Sequence, residues 1–168
     1  ENPRVNKEPY ATPDYYLEKE TSYIRRGDRS YPLMVFGRHN MQNMEGARRI
    51  CSRLGLTDDQ FFSAMTNFGG AGKRLQLLGR NERTAIYLDF AHSPSKVEAT
   101  VKAVREQFSD RRMVACLELH TYSSLDRKFL DFYRHTMDGA DDCAVFYNPE
   151  TVLHKRLRMI SKEEVFTA

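Results

Sequence analysis

The sequence predicts an α/β fold, mainly because three short apolar runs recur at intervals of about 30 residues. The runs cover residues 85–88, 113–117 and 143–146, and helical patterns separate them. Strands and helices that alternate in this way form βαβ units with parallel strands. The runs are apolar throughout, which is typical of parallel strands buried on both faces. The second part of the chain is therefore predicted to be Rossmann-like, with a mostly parallel sheet flanked by helices.

Two amphipathic helices are predicted between these strands. Apolar residues recur mostly at three- or four-residue spacing in each of them: Val97, Val101, Val104 and Phe108 in one, and Leu125, Phe129, Phe132 and Met137 in the other. This spacing puts the apolar side chains on one face of a helix, which can then pack on the sheet. A strand-like stretch, residues 74–78, precedes the first apolar run.

The first part of the chain predicts a short hairpin followed by two helices. Its first sixteen residues carry three prolines and indicate an irregular lead-in. Residues 17–26 and 30–36 are predicted to pair as two strands around a turn at Gly27. Helical spacing begins at Asn40, and a capping pattern at residues 57–60 starts a second helix.

A glycine-rich segment, residues 69–72, separates the two parts. We expect a domain hinge there, so that residues 1–68 and 69–168 belong to different domains. The segment is not a P-loop, because the places for the first glycine and the final Ser or Thr hold Asn67 and Arg74. Arg74 is then either solvated on a flexible hinge or directed by it toward a phosphate or ribose.

Composition excludes several classes of protein. The 26 Lys and Arg exceed the 23 Asp and Glu by only three, which is too little for a dedicated nucleic-acid binder unless the charge is clustered. Three widely spaced cysteines fit a reducing compartment, and His39, His92 and His120 lack metal-ligand spacing. No apolar run approaches about 18 residues. We expect a cytoplasmic protein that binds no nucleic acid and no membrane, and no metal site in this chain.

Polar residues follow two of the predicted strands. Asp89 and His92 come after the first strand, and His120, Thr121 and Ser124 come after the second. Because the carboxyl ends of parallel strands meet at one edge of a sheet, we expect the two loops to share a ligand site. For one loop alone, capping of the following helix by a serine is the simpler interpretation.

Two further features have simple interpretations beside their functional ones. Asn40 caps a helix, or it presents with Asn43 a pair of carboxamides that suits an adenine edge. The basic run at residues 154–158 is predicted to be a solvated helix face.

Three motifs, in order, resemble the Mur ligase family. They are G-R-H-N-M-Q-N at residues 37–43, F-G-G-A-G-K-R-L at residues 68–75 and D-F-A-H-S-P at residues 89–94. Each motif is weak alone, but the ordered set is specific. Family members are ATP-dependent amide-bond ligases of bacterial peptidoglycan assembly, so the resemblance implies a ligase that uses ATP and Mg²⁺.

The resemblance implies a role for each candidate residue. Asn40 and Asn43 would contact adenine, and Arg74, Asp89 and His92 would hold the ribose and phosphates of ATP. The loop at residues 120–124 would face the acceptor amine. ATP would phosphorylate the carboxylate of UDP-N-acetylmuramate, and the amine would then displace phosphate from the acyl phosphate.

The acceptor loop departs from the pattern that binds free alanine. Where that branch of the family has two arginines around the amino acid, this sequence has Thr121 and Ser124. The departure favours the peptide L-Ala-γ-D-Glu-meso-diaminopimelate as acceptor over L-alanine, which remains the alternative. A non-catalytic nucleotide-binding module is the competing class.

The chain is also expected to be a fragment. It lacks the UDP-sugar-binding domain, the P-loop and the magnesium ligands that the family carries, so we expect the metal ligands in a missing domain. Residues 1–68 would be the tail of the ATP-binding domain, and residues 69–168 an incomplete C-terminal domain. The chain alone is predicted to be inactive and to work with the remainder of its parent chain.

Overall fold

The computed structural model describes residues 7–167, and the chain divides into two compact units. The first unit ends at Gly70 and the second begins at Ala71. Within residues 7–167, no helix combines the length and apolar character needed to cross a bilayer. Part of the predicted irregular lead-in, residues 1–6, lies outside the described residues.

The first unit is a three-stranded antiparallel sheet followed by two helices. The order of strands in the sheet is β1-β2-β3. The elements are β1 (Tyr15–Glu18), β2 (Thr21–Arg26), β3 (Arg29–Leu33), α1 (Arg38–Arg53) and α2 (Asp58–Met65).

The predicted hairpin is confirmed, with one difference. β2 and β3 pair around the turn, Arg26 opposite Arg29, and Gly27 there has φ 55°, a conformation that glycine adopts without strain. The segment predicted as a single strand is two strands, because Lys19 and Glu20 also take positive φ and turn the chain back. β1 and β2 therefore form a second hairpin.

The helices of the first unit pack on this sheet. Ile24 of β2, Met41 of α1 and Phe62 of α2 are buried in one apolar cluster. The predicted capping box is confirmed at α2: the Thr57 hydroxyl accepts the Gln60 N–H, and the Gln60 side chain accepts the Thr57 N–H.

The second unit alternates strands and helices, which confirms its α/β class. Its elements are β4 (Gln76–Arg80), β5 (Ala85–Leu88), α3 (Pro94–Gln107), β6 (Val114–Leu119), α4 (Arg127–Leu130), a 3₁₀ turn (Asp131–Tyr133), β7 (Asp142–Tyr147), α5 (Pro149–His154) and α6 (Lys162–Phe166). β6 and β7 pair in parallel, in a register that runs from Val114 opposite Asp142 to Leu119 opposite Tyr147.

The sheet of this unit differs from the predicted continuous one. β5 pairs antiparallel with β4 and is not hydrogen-bonded to β6, so the unit holds two two-stranded sheets. The burial of β5 explains the difference: Ala85 and Tyr87 are half-buried while Ile86 and Leu88 are exposed. A strand that buries one face suits an antiparallel pair better than the middle of a parallel sheet.

The second predicted helix is also shorter than expected. α4 has four residues and gives way to the 3₁₀ turn. His135 then takes φ 66°, a left-handed conformation that a helix cannot continue through. Of the predicted apolar positions, Leu125 is buried in the core and Met137 packs against it, whereas Phe132 is 64% exposed.

Candidate functional site

Asp89 joins the loop after β5 to the segment that leads into β4. Its Oδ2 accepts the Leu75 N–H at 2.7 Å, and its Oδ1 accepts the Ala91 N–H at 2.7 Å. The next residue adds a third bond, because the Phe90 N–H donates to the Lys73 carbonyl at 2.8 Å. A carboxylate that accepts two backbone N–H groups fixes both segments in one arrangement.

Arg74 lies in the middle of the segment that Asp89 holds. Its neighbours Lys73 and Leu75 have φ 58° and 44°, a region that side chains other than glycine rarely adopt. Such backbone strain persists where surrounding bonds over-determine the conformation. The Arg74 side chain is exposed, and no carboxylate in residues 7–167 lies within ion-pair distance of it. The segment therefore presents an unpaired guanidinium on a fixed backbone.

Three rings meet at the carboxyl ends of β5 and β6. The ring centroids of His92 and His120 are 6.1 Å apart, and Phe90 lies 4.9 Å from His92 and 5.8 Å from His120. The two predicted loops thus come together even though their strands are not hydrogen-bonded to each other.

Both imidazoles are oriented by backbone carbonyls. His92 Nδ1 is 2.9 Å from the Phe90 carbonyl, and His120 Nδ1 is 3.2 Å from the Glu118 carbonyl. A carbonyl oxygen only accepts, so Nδ1 carries the proton in each bond and Nε2 is the basic nitrogen of the neutral ring. Each histidine can therefore accept a proton or a hydrogen bond at Nε2.

Tyr133 also supports this cluster, although no sequence pattern singles it out. Its hydroxyl donates to the His92 carbonyl from the 3₁₀ turn. Burial raises the pKa of this hydroxyl, so it remains a donor. The residue stands between two apolar positions of the predicted helix, and only the break after α4 turns it toward the loop.

Hydrogen bonds between residues of the loop after β6, made by its hydroxyl groups, hold this loop in place. The Thr121 N–H donates to Ser124 Oγ at 2.9 Å, and the Ser124 N–H donates to Thr121 Oγ1 at 3.1 Å. The two hydroxyls are themselves 2.9 Å apart. Ser124 is only 1% exposed, so its hydroxyl shapes the loop from inside, and Thr121 is half-buried beside it.

A lysine from outside the loop covers its exposed tyrosine. Tyr122 is 63% exposed, and Lys155 Nζ lies 4.0 Å from the centroid of its ring. The basic run was predicted to be a solvated helix face, and this is wrong for Lys155. α5 ends at His154, and Lys155 is half-buried against the loop.

The two asparagines lie in the first turn of α1 in the first unit. Gly37 is the N-cap of α1, so the interpretation of Asn40 as the cap is wrong. Asn40 Nδ2 donates to the Phe36 carbonyl at 2.8 Å, and Asn43 is exposed. The Asn43 carboxamide is the more accessible of the pair.

The described residues do not form a metal centre. Within residues 7–167, no three His, Cys, Asp or Glu side chains come close enough together to hold a metal ion. The groups at the ends of β5 and β6 suit anions and proton transfer instead: an unpaired guanidinium, two oriented imidazoles and a lysine. These features describe an α/β domain with polar groups at the carboxyl ends of its strands, where ligands bind in folds of this class.

Comparison with known proteins gives the family. A family model described as "Mur ligase, glutamate ligase domain" matches residues 73–162, which is more than half of the chain. The chain belongs to the Mur ligase family. This confirms the resemblance carried by the three sequence motifs.

Curated relatives with a UDP-N-acetylmuramate–L-alanine ligase name match the chain over part of their length. The relative from Desulfitobacterium hafniense is 28% identical over 115 residues, covering 68% of this chain and 25% of the relative. The relative from Hyphomonas neptunium is 33% identical over 135 residues, covering 73% and 28%. The chain thus spans about a quarter of the length of these relatives.

Solved structures of the family share the fold. A UDP-N-acetylmuramate-alanine ligase from Thermotoga maritima superposes with a TM-score of 0.59 at 16% identity, covering 87% of this chain and 39% of that one. A folylpolyglutamate synthase from the same organism gives 0.55 at 17% identity, covering 88% and 34%. At such identities the likeness extends to the fold alone.

Proposed function

We propose that the chain is the C-terminal part of an ATP-dependent ligase that joins UDP-N-acetylmuramate to an amine acceptor in peptidoglycan synthesis or recycling. The observation that carries the proposal is that the second-unit motif residues lie close to the loop after β6. Arg74 lies on the segment held by Asp89, and His92 lies beside His120 at the ends of β5 and β6. The family match and the names of the relatives support the same activity.

The Arg74 segment and the loop after β5 are proposed to serve ATP. Arg74 would form charge-assisted hydrogen bonds with a phosphate, because no carboxylate in residues 7–167 pairs with its guanidinium. His92 would contact the ribose or phosphate end, and Asp89 would reach the ribose with the lone pairs left after its two backbone bonds. In the first unit, Asn40 and Asn43 are proposed to contact adenine. The described residues do not fit a magnesium site, so no step is assigned to that ion here.

The loop after β6 is proposed to serve the acceptor. In the reaction, a carboxylate oxygen of UDP-N-acetylmuramate attacks the γ-phosphorus of ATP and ADP leaves. The acceptor nitrogen then attacks the acyl carbon, phosphate leaves, and the nitrogen gives up a proton. His120 would receive that proton at Nε2, the ring nitrogen left free by the bond from Nδ1 to the Glu118 carbonyl.

The proposed acceptor is the peptide L-Ala-γ-D-Glu-meso-diaminopimelate. The loop has Thr121 and Ser124 at the places where the alanine-binding branch of the family has two arginines. The hydroxyls of these two residues are hydrogen-bonded to each other. L-alanine is the second candidate, because the relatives carry the name of an alanine ligase.

Phosphate release by the full-length protein tests the proposal. With ATP, Mg²⁺ and UDP-N-acetylmuramate present, we expect release to depend on the acceptor and to be faster with the peptide than with L-alanine at equal concentration. Preference for L-alanine would select the second candidate. Binding of ATP without acceptor-dependent phosphate release would contradict the ligase and support a non-catalytic nucleotide-binding module.

A further inference from the structure

The loop after β6 contains no lysine or arginine of its own. Residues 120–124 read His-Thr-Tyr-Ser-Ser. Both candidate acceptors carry carboxylates, and a protein binds a carboxylate most strongly with a positively charged donor. The charge must therefore come from another element, and the structure places Lys155 against Tyr122 of this loop.

Lys155 reaches the loop because of how β6 and β7 pair. Leu119, the last residue of β6, is opposite Tyr147, the last residue of β7. The loop begins directly after the first of these, and α5 begins two residues after the second, so both start at the same edge. Val152 of α5 is fully buried in the core, and the Lys155 N–H donates to the Thr151 carbonyl at 3.0 Å. The backbone that carries the lysine is thus fixed.

The cations that follow α5 differ from several arginines of the second unit. Arg105, Arg112 and Arg127 each form an ion pair with a carboxylate. In the part of the chain that the structure describes, no carboxylate lies within 4.0 Å of the basic groups of residues 154–158. The face of an aromatic ring attracts an ammonium group without neutralising it, so the Lys155 ammonium over Tyr122 remains available to an anion.

The dipole of α5 is a simpler explanation for basic residues at this place, since cations are favourable at a helix C-terminus. However, α5 has only six residues. The dipole also does not account for the direction of Lys155, whose ammonium lies over the Tyr122 ring rather than extending into solvent.

We propose that Lys155, lying over Tyr122, binds a carboxylate of the amine acceptor and supplies the positive charge that the loop lacks. The inference rests on the proposed ligase function. Tyr122 is two residues from His120, so a carboxylate held at Lys155 tethers the acceptor beside the basic Nε2 of that histidine. In this arrangement Lys155 determines acceptor binding and has no contact with ATP.

Kinetics of the full-length protein test this assignment. Lys155→Gln should raise the KM for the acceptor about tenfold or more, the usual effect of losing a charge-assisted hydrogen bond, and leave the KM for ATP unchanged. Lys155→Arg should keep most of the affinity. Lys162→Gln, which removes an exposed cation from α6, is the matched control and should leave both KM values unchanged. An unchanged acceptor KM in Lys155→Gln, or an equal rise in both KM values, would overturn the inference.

Amidated acceptors identify the group that is recognised. Alaninamide is compared with L-alanine, and the peptide with its carboxamide form. Lys155→Gln should raise the KM only for acceptors with free carboxylates. The acid and amide pair that differs in this way identifies which acceptor supplies the carboxylate. Equal penalties for acids and amides would mean that Lys155 is structural. If Lys155→Gln does not fold, Tyr122→Leu replaces it and should weaken acceptor binding less.

A binding measurement separates this inference from the proposed function. If the wild-type protein releases no phosphate with any acceptor, the proposed function fails. Calorimetric titration of each acceptor into the full-length protein then decides on Lys155 alone. Binding that Lys155→Gln abolishes would support the carboxylate subsite. Binding that this change leaves intact, or no binding to the wild type, would overturn it.

Discussion

The two loops at the ends of β5 and β6 are held in place in opposite ways. The loop after β5 depends on groups from other segments: Asp89 accepts the Leu75 N–H, and the His92 carbonyl accepts the Tyr133 hydroxyl. The loop after β6 depends on its own hydroxyls, those of Thr121 and Ser124. The first loop cannot change without disturbing the Arg74 segment. In the loop after β6, exposed side chains can be substituted while the backbone keeps its conformation. This property suits the proposed role of the loop in selecting the acceptor.

Removing the Asp89 carboxylate should have the largest effect. Asp89→Ala leaves the N–H groups of Leu75 and Ala91 without their acceptor, and Leu75 is buried. We expect a cost of about 2–3 kcal/mol, because an unsatisfied buried donor loses its full desolvation penalty. The thermal midpoint should fall, and amide hydrogen exchange should rise at residues 73–75.

Asp89→Asn is the control for this change, because it keeps one acceptor oxygen. Its midpoint should lie between those of the wild type and Asp89→Ala. Faster exchange that spreads evenly over the second unit, with no excess at residues 73–75, would contradict a specific link between Asp89 and the Arg74 segment.

Removing the hydroxyl that holds the loop after β6 should reduce the stability of the protein by a smaller amount. Ser124→Ala removes the acceptor of the Thr121 N–H and the partner of its hydroxyl at a buried position, and we expect about 1–2 kcal/mol of lost stability. Ser123 is exposed, and its hydroxyl makes only a longer contact of 3.3 Å with Thr121 Oγ1, so Ser123→Ala is the matched control with a change within about 0.5 kcal/mol. Equal midpoints for the two variants would mean that the hydroxyl pair does not hold the loop.

The Tyr133 hydroxyl should contribute least. Tyr133→Phe removes one hydrogen bond to the His92 carbonyl and should cost about 1 kcal/mol. Burial raises the pKa of Tyr133 above its unfolded value of about 10, so this contribution is complete below pH 10 and is lost as pH rises through the raised pKa. The midpoint difference between wild type and variant should therefore be constant from pH 7 to 9. A difference that varies across this range would contradict the assignment.

The sequence predicted much of the local structure and the two loops. Apolar spacing located α3, β6 and β7, the Thr57 pattern located α2, and the polar residues that follow the apolar runs located His92 and His120. These signals lie within a few residues of the features that they predict. Both β5 and a strand-like stretch at residues 74–78 were predicted, but their antiparallel pairing was missed. β4 is mostly exposed and its pairing is irregular between Leu77 and Gly79, so no apolar pattern indicated that it pairs with β5.

The missed site residues depend on contacts between distant segments. Tyr133 turns toward His92 only because the predicted helix stops after α4, and a left-handed His135 follows. Lys155 reaches Tyr122 only because β6 and β7 end side by side. Neither contact has a local signature, since both residues lie in stretches that also fit an ordinary helix.

We propose that the Arg74 segment serves ATP while the loop after β6 serves the acceptor. One kinetic comparison in the full-length protein tests this division: KM values for ATP and for the acceptor in Arg74→Ala and His120→Ala, at saturating UDP-N-acetylmuramate. Arg74→Ala should raise the KM for ATP by about tenfold or more and leave the KM for the acceptor unchanged, because only the ATP contact loses a charge. His120→Ala should slow phosphate release and raise only the KM for the acceptor. If either variant raised both KM values equally, the division between the two loops would be contradicted.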